Sequence, residues 1–83
     1  MIIAEHTTAV LTQDLPAHGL RAGDTGVVVQ INLDPEKPAE ALSYLLEIFA
    51  VDGSTIDVID APAEAVRPGS AREVYHARTV AAE

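Results

Sequence analysis

The stretch Asp14-Leu15-Pro16-Ala17-His18-Gly19-Leu20-Arg21-Ala22-Gly23-Asp24-Thr25-Gly26-Val27-Val28-Val29 decides how this chain folds. Pro16 lacks the amide that a strand ladder needs, so Leu15-Pro16 stops any strand arriving from upstream. The segment Gln13 to Gly23 then reads as a long loop. Gly23 and Gly26 are expected at positive φ or where a neighbour approaches too closely for a Cβ. Asp24 is expected to accept hydrogen bonds from amides of the turn. Val27 to Asn32 alternates, with Val27, Val29 and Ile31 on one side and Val28, Gln30 and Asn32 on the other. Period two with β-branched residues is the pattern of a half-buried strand.

Upstream, Thr7 to Thr12 reads as a first strand carrying Ala9, Val10 and Leu11. Downstream, Leu33 to Glu40 is a polar loop holding Pro35 and Pro38, and Ala39 to Leu42 is too short to sustain a helix. Tyr44 to Val51 is the next strand, with Tyr44, Leu46, Ile48 and Ala50 inward. Leu45, Phe49 and Val51 fall on its other face, interrupted by Glu47. That is too apolar for a solvated face, so either a bulge shifts the register or the C-terminal segment or a second copy covers it. Asp52-Gly53 marks a hairpin of type I′ or a related kind. Ser54 to Ile59 returns, with Ile56 and Val58 expected inward and Thr55 and Asp57 outward.

Ala61 to Ala65 fits one 3-10 turn, after which Val66 would plug the interior and Pro68-Gly69 would end the domain. Beyond it, Glu73 to Val80 alternates well enough to permit a strand. A long first loop, a glycine turn, a buried strand and a 3-10 turn before the closing strand form the grammar of small SH3-like barrels. The expected fold is all-β: an SH3-like barrel of five to six mainly antiparallel strands over residues 1–69. Residues 70–83 are expected as a C-terminal tail or an extra edge strand.

A chain of 83 residues holds one domain with a small core and marginal stability. It has no cysteine, hence no disulfide framework or thiolate metal site, which fits a reducing cytoplasm. The opening Met1-Ile2-Ile3-Ala4-Glu5 has no basic region and no long apolar run, so it does not read as a signal peptide. No apolar stretch approaches the roughly 20 residues needed to cross a bilayer. The expected location is the cytoplasm. Thirteen Asp and Glu face five Lys and Arg, for a formal charge of -8. Such a field repels phosphate backbones and anionic membranes and attracts basic surfaces. Arg67, Arg72 and Arg78 all lie near the C-terminus, so the body of the domain is more acidic than the total.

His6, His18 and His76 sit at no metal-ligand spacing, and no metal or other cofactor is expected. His18 between Asp14 and Asp24 is the one constellation that an enzyme or small-ligand site would use, and it lacks a nucleophile and an oxyanion hole. Thr25 beside Asp24 adds no base. Gly19, Gly23, Gly26 and Gly53 lack the strand-to-helix context of a phosphate cradle. Tyr44, Phe49 and Tyr75 interleave with no basic patch, which disfavours nucleic acid. Glu47, Asp52 and Asp57, with Asp60, could gather as a carboxylate patch across paired strands. Paired carboxylates can hydrolyse glycosides, but a cleft and stacking aromatics are missing. The partner-binding candidates are therefore Glu47, Phe49, Asp52 and Asp57, facing a basic protein.

The order Val10-Leu11, Asp14-Leu15-Pro16, Gly19-Leu20, Gly23-Asp24-Thr25-Gly26-Val27-Val28, Tyr44 with Glu47, Asp52-Gly53 and Val66-Arg67-Pro68 resembles a small bacterial family catalogued as domain of unknown function 4926. The resemblance runs from about residue 8 to residue 68. It implies an SH3-like barrel and brings no catalytic residues. Members are often encoded beside nuclease-like or toxin-like proteins, which implies an antitoxin or immunity role. The expected function is a non-enzymatic, acidic protein-binding module that occludes a partner. A non-catalytic subunit of a larger enzyme complex is the alternative, and a small-ligand-binding protein or enzyme ranks behind both.

Overall fold

The computed structural model describes residues 2–80. Its strands are β1 (Thr8–Leu11), β2 (Thr25–Leu33), β3 (Ala41–Phe49), β4 (Thr55–Pro62) and β5 (Val66–Pro68). Two 3-10 turns, Pro16–His18 and Ala63–Ala65, interrupt the chain, the second lying between β4 and β5 as expected. All pairings are antiparallel and form one sheet in the order β4-β3-β2-β1-β5. The fold is all-β, but the sheet is open. β5 has three residues and spends them on β1, so β4 and β5 remain as separate edges and the word barrel describes only the curl.

The curl arises in β2. Its first residues, Thr25, Gly26 and Val27, pair with Val10, Ala9 and Thr8 of β1, while Val27 to Leu33 pair with β3. At the crossing, a Cβ on Gly26 would stand 2.9 Å from Ile48 Cδ1 and 3.2 Å from the Glu47 carbonyl oxygen. Gly26 is thus the close approach anticipated from the sequence, whereas Gly23, with φ of 93°, supplies the positive φ. The curl brings Ala9 and Leu11 of β1, Val28 of β2, Tyr44, Leu46 and Ile48 of β3, and Ile59 and Ala61 of β4 into one buried cluster. Val66 and Ala65 close it from the second turn, as the plug was expected to do.

Three bulges set which residues face that core. Val28 pairs with Leu46 and Gln30 with Leu45, so Val29 is an extra residue. This corrects the unbroken alternation expected of β2. Val28 and Ile31 pack on the core, and Val27 and Gln30 share the outer face. Leu42 is the extra residue at the start of β3. Ile56 is the third, because Ile48 pairs with Asp57 but Phe49 with Thr55. The inward placement of Ile56 and Val58 is therefore wrong. Both are exposed, at 47% and 46%, and Ile59 and Ala61 are buried instead. Counting in twos from Ser54 put the wrong face inward, because side chains switch faces with each one-residue slip.

The hairpin at Asp52-Gly53 is present, with the Ala50 amide donating to the Ser54 carbonyl at 2.8 Å. Among the described residues Gly53 has positive φ and Asp52 does not, so the turn is not type I′, which needs two such residues. The 13–23 loop is held by an isolated bridge between Leu15 and Leu20, and Leu20 dips into the core. Ser70 to Val80 form no strand, so of the two expectations, a tail or an extra edge strand, the described part is not an edge strand; residues 81–83 lie outside the described residues. The segment folds back over the body instead. Among the described residues, no helix is long and apolar enough to cross a membrane.

Candidate functional site

Two surfaces concentrate unusual chemistry. The first is the outer face of β2, β3 and β4. Val27, Glu47 and Val58 stand abreast on the three strands, followed by the row of Gln30, Leu45 and Asp60. Glu47 is thus set between two valines and accepts a hydrogen bond from the Thr55 hydroxyl. Phe49 lies one pair further on, opposite Thr55, and is 43% exposed. These residues share the face because they alternate with the buried Tyr44, Leu46 and Ile48.

The other two partner-binding candidates sit apart. Asp52 is in the turn, where its Oδ1 accepts from the Ser54 hydroxyl and amide, and those bonds hold its carboxyl below the ordinary value. Asp57 pairs with Ile48, so it belongs to the opposite face, at the exposed rim. Its Oδ1 accepts from the main-chain N–H of Val58 at 2.8 Å. Asp60, rather than Asp57, shares the face of Glu47. The Ile56 bulge, which period counting could not register, accounts for the difference.

The second surface is the crevice beneath the returning C-terminal segment. Arg78 reaches across to the first loop, its Nε donating to Asp24 Oδ1 at 2.8 Å and its Nη2 to Asp24 Oδ2 and to the Gly19 carbonyl. Arg21 N–H also donates to Asp24 Oδ2, the turn bond anticipated for this aspartate, at 2.7 Å. The Arg78 guanidinium lowers the Asp24 carboxyl against the opposing effect of burial. Tyr75 Oη lies 3.2 Å from Thr8 Oγ1, and Val80 packs on the core beside Gly19. Val10, on the face of β1 away from Ala9 and Leu11, is only 5% exposed and lines a neighbouring crevice with Glu73, Val74 and Tyr75. The tail thus covers Val10 and borders Phe49 and Val51, and Val51 remains 91% exposed.

At the root of the tail, Arg67 forms a two-pronged pair with Glu73, at 2.8 and 2.6 Å. This pair and the Ser70 amide pull the Glu73 carboxyl from an ordinary 4.5 down to about 2. Asp24 and Glu73 are both depressed in the folded state, so their tethering is complete above their ordinary values. It is lost as pH falls through the lowered ones. The tail is therefore expected to stay docked at neutral pH and to loosen from about pH 4 downward. Tyr75 and Val80 resonances followed by NMR should move to random-coil positions over that range while those of Leu46 hold. Tail signals unchanged to pH 2 would refute the assignment.

The histidine constellation is not assembled. Asp14 Oδ1 accepts from the Ala22 amide and Asp24 is committed to Arg78 and Arg21, so both carboxylates work as loop braces around His18. Among the described residues there is no group of three or more His, Asp or Glu that could hold a metal ion.

Comparison with curated proteins and with solved structures gave no match. A family model described as "Domain of unknown function (DUF4926)" does match, over residues 5–68, which takes in all five strands and both 3-10 turns and stops just before the tail. The chain belongs to the DUF4926 family.

Proposed function

We propose that this protein is a non-enzymatic, acidic binding module of the cytoplasm that occludes a basic protein partner, in the manner of an antitoxin or immunity protein. The observation that carries the reading is the free edge of β4. This strand runs eight residues, pairs among the described residues only with β3, and exposes Ile56 and Val58 on either side of Asp57. An unprotected edge is a template for strand addition, in which main-chain hydrogen bonds supply affinity and side chains supply choice. Asp57 guards this edge by taking up the Val58 amide. A partner strand carrying Lys or Arg would draw that carboxylate away and free the amide for pairing. Glu47 and Asp60 on the adjoining face extend the same preference, since charge complementarity governs encounter and partner selection.

The test is capture from native-host lysate after nuclease treatment, comparing the tagged chain with Val58→Lys. Val58 is half exposed, so the substitution should change stability by no more than about 0.5 kcal/mol. A stoichiometric basic protein held by the native chain and reduced at least tenfold by Val58→Lys is the expected result. Equal capture by both chains would refute edge pairing, and the lack of any stoichiometric protein would refute the binding-module reading itself.

A further inference from the structure

The tail is attached as a bound peptide would be. Among the described residues, Val74 to Val80 make no main-chain hydrogen bond to the body, and only Arg78 and Val80 are half-buried while the other five residues are exposed. Side chains hold it. The body offers the guanidinium of Arg78 three acceptors: both oxygens of Asp24 and the carbonyl of Gly19. Its side chain is 25% exposed and that of Asp24 is 16%. Two residues on, Val80 fills an apolar notch beside Gly19. The fit is incomplete on either side of the arginine. Ala77 and Thr79 are small, and a crevice of about 300 Å³ remains between them and Leu20, Ile48 and Ile56.

We propose that this crevice is a recognition site for an extended arginine-bearing segment of a partner protein, with Arg-x-(aliphatic) as its minimal pattern, and that residues 76–80 occupy it as an internal competitor. The fork of Asp24 presents the planar, two-oxygen geometry that guanidinium matches and ammonium does not. The acidic body attracts such a segment, and the unfilled volume favours a partner with a larger apolar residue next to its arginine. The covalent tail competes at high effective concentration, so a partner must either bind more strongly or arrive when the tail is released. This rests on the reading of a basic partner; the site adjoins the β4 edge at Ile56 but is anchored at Asp24.

The experiment uses the full chain and a synthetic octapeptide, Glu73-Val74-Tyr75-His76-Ala77-Arg78-Thr79-Val80, with binding followed through the NMR shifts of the Gly19 and Asp24 amides. The Arg78→Gln chain, whose tail has lost its anchor, is expected to bind the peptide at least tenfold more tightly than the native chain. A peptide with lysine or citrulline in place of the arginine should bind the same Arg78→Gln chain at least tenfold more weakly. That control leaves the protein untouched, so misfolding cannot produce it. Equal binding by native and Arg78→Gln chains would overturn the proposal, as would equal binding of arginine and citrulline peptides or no binding at millimolar peptide. Because no lysate partner enters the assay, its failure is separable from failure of capture at β4.

Discussion

Replacing Leu46 with alanine is expected to lower stability by about 2–5 kcal/mol. Leu46 is fully buried at the centre of β3, paired with Val28 on one side and Ile59 on the other. The curled sheet wraps around it, so no side chain can move in to fill the space. A domain of this size holds about 4–12 kcal/mol in all, and a loss of that order brings it near unfolding. Thermal denaturation should fall by at least about 10 °C, given roughly 4–8 °C per kcal/mol in small domains. Leu42→Ala is the matched control. Leu42 is a bulge residue, 53% exposed, and its loss should cost about 0.5 kcal/mol or less. Similar melting of the two variants would show that the core is not centred on β3.

Gly26→Val should have a comparable effect by the opposite route. Gly26 has ordinary strand φ, so valine is not excluded by backbone conformation. It is excluded by space: even the first carbon added meets Ile48 Cδ1 at 2.9 Å and Leu46 Cβ at 3.2 Å. Overpacking of this kind costs about 1–3 kcal/mol for small excesses, and valine adds two further methyl groups at the crossing of both halves of the sheet. Gly26→Ala with Ile48→Val separates the causes, because removing Cδ1 relieves the tightest of the three contacts. A double-mutant cycle should show a favourable coupling of about 0.5 kcal/mol or more. Gly23→Ala provides the contrast. Nothing stands within 4 Å of its would-be Cβ, so its cost is the left-handed backbone alone, about 1–2 kcal/mol. Additive effects in the Gly26 cycle would rule out steric conflict with Ile48.

Much of the architecture was legible before the structure. Gly-Asp-Thr-Gly marked the entry to β2, Asp52-Gly53 marked the hairpin, and Tyr44, Leu46 and Ile48 declared their burial by alternation. These features are local, because each depends on residues close along the chain. Ile3 was not legible. It is buried with its N–H donating to the hydroxyl of Tyr44, forty-one residues away, and nothing in the flanking sequence marks it. The face of β4 was also lost. Ser54-Thr55-Ile56-Asp57-Val58 alternates in perfect order, and only the ladder with β3 reveals that Ile56 is an inserted residue.

The candidate surfaces divide along the same line. The acidic balance and the unusual apolar content of β3 were evident in composition and pattern. That Glu47 stands with Asp60 instead of Asp57, and that β4 is an edge, depend on register and strand order. The role of Arg78 was hidden most completely. It appeared as one cation in an alternating tail, and its partner Asp24 lies fifty-four positions earlier in a turn. Local pattern already carried the strands, the hairpin and the second 3-10 turn, the sign of the surface charge and the family. Short-range sterics and period-two burial act within a few residues, and they suffice for that. The three bulges, the open sheet and the docking of the tail emerged with the folded chain, because each depends on hydrogen bonds and ion pairs between segments whose separation along the chain carries no local signal.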